Sequence, residues 1–159
     1  QVSAVTGYGP YRSFKNGDLE TYNAVFDGHF RNFQFFFHDN KLWRIGVYTF
    51  EGTNLTAATQ AWGAMYESMR RTFGDIETPV NKTPVEGDAD SMKAFQASAR
   101  TLVEQSGRAQ LAPLQRPADV YSFASFSQSE LQGTTIYYIT LFFESPHDTS
   151  KTAVVEGDK

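Results

Sequence analysis

FRNFQFFFHDNKLWRIGVYTF, Phe30 to Phe50, is the stretch that decides the fold. Two apolar runs flank His38, Asp39, Asn40 and Lys41, and alternation within each run has the period of a strand, so the segment reads as a β-hairpin. Setting Phe33, Phe35 and Phe37 on one face with Trp43, Ile45 and Val47 requires paired residue numbers to sum to an even value. A two-residue turn at Asp39 and Asn40 gives an odd sum. A three-residue loop of His38, Asp39 and Asn40, with Asn40 left-handed as a bulge, restores the even one. In that register Phe35 faces Trp43, Phe33 faces Ile45 and, on the second face, Gln34 meets Arg44.

Upstream, DLETYNAVFD (Asp18 to Asp27) has strand composition with Tyr22, Ala24 and Phe26 on one side. Asp27 and Gly28 turn it into the hairpin, giving a three-stranded meander. Gln1 to Gly17, with Gly7, Gly9, Pro10 and Gly17, reads as an irregular lead-in whose Tyr8, Tyr11 and Phe14 pack over a sheet edge or face.

Downstream the period changes. Leu55, Ala58, Trp62, Met65, Met69 and Phe73 recur at helical steps after a Thr53 or Asn54 cap, and Gly74 closes that helix behind Arg70 and Arg71. Asp75 to Gly87 is a loop. A second helix runs from Asp88 or Asp90 to Gly107 through Met92, Phe95, Ala99, Leu102 and Val103. Arg108 to Pro117, with Pro113 and Pro117, is a connector. Val120–Ser127 and Thr134–Glu144 are strands around a Gly133 turn, the latter with Tyr137, Ile139, Leu141 and Phe143 on one face and Ile136, Tyr138, Thr140 and Phe142 on the other. The expected fold is α+β: one domain over residues 1–159, an antiparallel sheet of about five strands (β-β-β-α-α-β-β), two helices on one face and a flexible tail over 145–159.

Composition narrows the function. Of 159 residues 40% are hydrophobic and 20% charged, which suits a folded globular chain, and 15% are aromatic, which favours sheet. A net charge of -4 with 14 scattered Lys and Arg gives no footprint for nucleic acid. No apolar run has the length of a membrane span, and no signal peptide is visible. A start at Gln1 fits a processed mature protein or a trimmed chain. Without cysteine there are no disulfides, thiol nucleophiles or Cys-based zinc sites.

Motifs for catalysis and cofactors are weak. His29, His38 and His147 fall in or beside turns with no ligand spacing, so no metal is expected. Gly7 and Gly9 lack the flanking strand and helix of a dinucleotide site. Ser122, Ser125 and Ser127 have no nucleophile elbow. The Gly87–Asp90 run, GDAD, fails as a calcium loop because Met92 and Lys93 occupy positions that need a ligand and a glycine. No cofactor is implied.

The second face of the central hairpin is the one candidate site. It carries Phe30, Gln34, Phe36, Leu42, Arg44, Tyr48 and Phe50, too apolar for a plain solvated surface and polar at its centre; Tyr138 and Phe142 repeat the pattern late in the chain. The N-terminal segment, the connector or a second copy would cover it in a structural reading. As a recognition surface, Phe30, Gln34, Phe36, Arg44, Tyr48 and Phe50 bind a protein partner or another copy of the chain. The coarse pattern of Gly-Pro lead, hairpin, helix ending in Phe-Gly and late hairpin resembles small exported bacterial α+β domains of unassigned function. That resemblance implies a periplasmic or secreted location and transfers no activity. The expected function is a non-enzymatic binding or inhibitory domain. The alternative is a hydrolase or small-ligand enzyme whose site is assembled from distant histidines and carboxylates.

Overall fold

Asp27-Gly28, Asp39-Asn40 and Gln132-Gly133 each carry positive φ at both residues, the backbone of the two-residue turn whose twist matches paired strands. Around them the computed structural model, which describes residues 7, 9–78 and 88–146, places β1 (Arg12–Ser13), β2 (Leu19–Phe26), β3 (His29–His38), β4 (Lys41–Gly52), α1 (Leu55–Phe73), β5 (Ile76–Glu77), α2 (Ala89–Ser106), β6 (Arg108–Pro113), β7 (Tyr121–Leu131) and β8 (Thr134–Glu144). The strands form one antiparallel sheet in the order β1-β2-β3-β4-β8-β7-β6-β5.

The fold is α+β with two helices, but the sheet has eight strands, not about five. Two of the additions, β1 in the lead-in and β5 in the loop, are two residues long, too short to show any period. β6 lies in the expected connector. Its alternation is visible in retrospect, with Ala109, Leu111 and Pro113 buried between exposed Arg108 and Gln110, but the flanking prolines masked it. Tyr8, His147, the 79–87 part of the loop and most of the expected tail lie outside the described residues.

Both helices obey their local signals. The Asn54 side chain accepts a hydrogen bond from the Ala57 N–H at 3.0 Å, and Gly74 (φ 79°) closes α1 with its N–H on the Arg70 carbonyl. Asp88 accepts from the N–H groups of Asp90 and Ser91 at 2.9 and 2.8 Å, so the first carboxylate of the GDAD run serves as the α2 cap. These helix-end hydrogen bonds hold the Asp88 carboxyl below its usual range.

The α1 stripe buries Ala58, Trp62, Met65 and Met69 against Ile139 and Leu141 of β8, Ala124 and Phe126 of β7, and Ala109 and Leu111 of β6. Trp62 is wholly buried, stacked on Phe95 of α2 at 6.3 Å and tilted on Phe126 at 5.8 Å. Its indole N–H and the buried Ser122 hydroxyl find no hydrogen-bond partner. Eight strands at ~4.8 Å spacing span ~34 Å, whereas two helices ~10 Å apart cover ~20 Å. The helix layer therefore ends partway: α1 packs on β4, β8, β5 and β6, and α2 on β6 and β7. On the uncovered wing Tyr11 of the lead-in packs edge-on against Phe35, as expected of that segment, while Phe14 stays 39% exposed. No helix among the described residues is long and apolar enough to cross a membrane.

Three bulges decide which side chains reach which face. In β2 the register shifts between Thr21 and Ala24; Thr21 and Ala24 are buried while Tyr22 is 45% exposed, so Tyr22 does not share a side with Ala24 and Phe26. In β4 the register shifts opposite Phe36 and Phe37 and again between Tyr48 and Phe50. The hairpin turn has two residues, His38 pairing with Lys41, not the expected three-residue loop. The extra residue Trp43 restores the even sum: Phe35 pairs with Ile45 and Phe33 with Val47. A bulge sends two neighbouring side chains to one side of the sheet. Trp43 accordingly joins Arg44 on the second face, lying 4.1 Å from its guanidinium, and Leu42 moves to the side expected for Trp43.

Candidate functional site

The side of the sheet away from the helices is built from the second faces of β2, β3, β4, β8 and β7. Of the residues expected there, Gln34, Phe36, Arg44 and Tyr48 are brought together and half-buried. Phe30 sits at the far end of β3 and is 76% exposed. Phe50 is not part of the surface: the second β4 bulge turns it to the helix side, where it packs against the core.

The pairing within the surface also differs from expectation. Gln34 lies opposite Gly46, not Arg44, and its side-chain carbonyl accepts a hydrogen bond from the Tyr48 hydroxyl at 2.9 Å. Arg44 instead lies opposite Phe36 on one flank and Glu144 on the other. Its Nε donates to Glu144 Oε1 at 2.9 Å and its Nη2 to the same oxygen. Glu144 is 4% exposed and Arg44 24%, so the ion pair is largely withdrawn from water.

Around this pair the aromatic rings form a continuous layer. The Arg44 guanidinium lies within 6 Å of the Trp43, Phe142, Phe123 and Phe36 rings, at 4.1, 5.4, 5.6 and 5.8 Å. Phe123 and Phe142 stack at 4.9 Å, and Tyr121 stacks on Phe123 at 5.9 Å. Gly46 makes room for this layer: a Cβ there would stand 3.0 Å from the Phe142 ring.

Toward the other end of β4 the surface changes character. Tyr48 and Tyr138 meet edge-on at 5.9 Å, the Tyr22 hydroxyl donates to Glu20, and the Asn32 amide donates to Glu51. Burial, followed by the charges of Glu20 and Glu51, pushes the Tyr48 hydroxyl up to about 12. The Glu51 carboxyl is likewise raised, first by burial and further by Glu20, against the lowering effect of the Asn32 hydrogen bond. The Tyr22 hydroxyl is raised as well, first by its hydrogen bond to Glu20, with Arg12, across from Glu20 on β1, opposing the shift. One end of the surface is thus a compensated ion pair under rings, and the other a tyrosine cluster between two carboxylates.

Sequence reading missed Trp43, Tyr22, Glu20, Glu51, Phe123, Tyr121 and Glu144 as members of this surface. Trp43, Tyr22 and Glu51 follow from bulges. Glu20 follows from the β2–β3 pairing, which sets it opposite Gln34, and Phe123, Tyr121 and Glu144 depend on β8 lying between β4 and β7, which no local pattern reports. The histidines are elsewhere: His29 contacts the Asp27 carbonyl at 2.7 Å, and His38 lies 3.6 Å from Asp39, both exposed. Among the described residues no three His, Asp or Glu gather as metal ligands. No protein-family model matches this chain, and no curated protein or solved structure is significantly similar to it.

Proposed function

We propose that the chain is a non-enzymatic binding or inhibitory domain, exported in a bacterium, that holds a protein partner on the open side of its sheet. One observation carries the reading: a contiguous layer of Phe, Tyr and Trp rings around Arg44 lies on the side that neither helix covers. Aromatic residues and Arg at a dry centre are the composition of interface hot spots. The open side is also large enough, since five strands at ~4.8 Å spacing, ~24 Å across by ~30 Å along, give roughly 700 Å², close to the ~800 Å² that one partner buries in an ordinary interface. Glu20 and Glu51 beside the tyrosines favour a partner that presents Lys or Arg among apolar side chains. Export rests on the general pattern of the chain. For the enzyme alternative no observation among the described residues speaks, and His147 lies outside them.

A photo-crosslinker at Tyr138 tests this against one at Glu104 on the exposed flank of α2. The expected result is one protein captured from source extract through Tyr138 and not through Glu104, with capture lost when Tyr48→Lys adds a positive charge at the acidic end. Equal capture from both positions refutes the reading. Capture of the chain by itself, with a dimer in sedimentation, replaces the foreign partner with a second copy.

A further inference from the structure

On the helix side, where the helix layer stops, a cleft of about 570 Å³ lies between α1 and the β2–β4 wing. That volume is within the range of small-molecule sites. Ala61, Ala64, Met65 and Met69 form its α1 wall at helical steps, the two alanines leaving the space, and Leu141 and Phe143 of β8 form its floor. Arg31 of β3 also lines it. Arg31 is half-buried, yet among the described residues its guanidinium forms no hydrogen bond or ion pair. A partly desolvated cation without a counter-charge gains most from an anion brought to it.

The geometry points to a binding site for a singly charged amphipathic carboxylate. Its aliphatic chain lies along Met65, Met69, Leu141 and Phe143, and its head pairs with Arg31. Methionine side chains adapt to a flexible apolar chain better than branched ones do. Asp27, exposed in the β2–β3 turn, lines the same cleft without pairing with Arg31. Its negative charge disfavours a second charge on the head, so a monocarboxylate fits where a phosphate ester does not. This site is on the opposite side of the sheet from the proposed partner surface and does not depend on it.

Calorimetry with dodecanoate, dodecanol and dodecylammonium, each below its aggregation concentration, tests the assignment. Dodecanoate should bind about tenfold or more tightly than the alcohol, and the ammonium most weakly. Arg31→Gln should remove the preference for the carboxylate while leaving alcohol binding in place. Ala64→Trp should block all three with the melting temperature unchanged, and Ser68→Trp on the same wall repeats the block if that variant does not fold. Equal binding of acid and alcohol to the wild type overturns the head assignment. Unchanged binding in the blocked variant, binding lost instead in Tyr138→Lys on the open side, or no binding by any probe overturns the site.

Discussion

Removing Arg44 should cost more than removing Glu144, and the two losses should not add. At an effective dielectric constant near 20, charges ~4 Å apart attract by ~4 kcal/mol, and this attraction is opposed by a desolvation penalty of several kcal/mol per ion. The intact pair therefore adds little net stability. Its halves are unequal, because Glu144 is 4% exposed and Arg44 24%. Arg44→Met leaves a buried carboxylate without its cation and should destabilise by about 3–4 kcal/mol, toward the lower end for a broken buried pair. Glu144→Gln leaves a cation with water at one edge and four rings around it, so about 1–2 kcal/mol is expected. The double variant, neutral on both sides, should also lose about 1–2 kcal/mol, which gives a coupling of roughly 3 kcal/mol in a double-mutant cycle. Urea denaturation of the four proteins at pH 7 measures it. Additivity within about 0.5 kcal/mol would refute the argument, since the carboxylate would then find other compensation when Arg44 is gone.

Trp62→Ala, at a wholly buried site stacked on Phe95 and Phe126, should lose about 3–5 kcal/mol in urea denaturation, while exposed Gln60→Ala stays within about 0.5 kcal/mol. Ser122→Ala removes a buried hydroxyl without a partner and should raise stability by about 1 kcal/mol; a loss of that size would show that the hydroxyl is hydrogen-bonded in solution. Tyr48 holds its proton to about 12 in the folded chain against about 10 when unfolded, so its contribution is complete below pH 10 and is lost as the pH climbs through 12. Allowing for its partial exposure that is roughly 1–2 kcal/mol; Tyr48→Phe should flatten the alkaline fall in stability and delete a late step from the ultraviolet titration of the tyrosines.

The helices were legible because their determinants are local. The stripe from Ala58 to Met69 and the closing Gly74 and Gly107 are read within one segment and occupy their expected places, and the caps fall on Asn54 and Asp88, one of the two candidates offered for each helix. The last strand was legible for a similar reason: eleven residues of unbroken alternation leave no freedom in which side chains share a face. Sheet width was not legible. A two-residue strand such as β1 or β5 has no period of its own and exists only through its neighbour. That width nevertheless controls the cleft, since two helices cannot cover eight strands. The uncovered remainder of the helix side is the cleft beside α1.

The central hairpin is the harder case, because the parity argument was sound and its structural solution differed. A three-residue loop and a two-residue turn followed by a bulge both give an even register, and both keep Phe33, Phe35, Ile45 and Val47 on the helix side. Burial of those four cannot choose between them. The two solutions differ by one step in pairing, which is enough to exchange Arg44 for Gly46 opposite Gln34 and to bring Trp43 onto the open side. What they share is used about a hundred residues along the chain. Phe142 needs the flat space over Gly46, and the buried Glu144 needs the cation of Arg44. Both are met whenever β4 presents 44 and 46 to β8 on the open side, which either register does, so β8 completes the candidate surface without choosing the register; the two solutions part at the turn itself, where Asp39 and Asn40 both take positive φ and His38 pairs with Lys41.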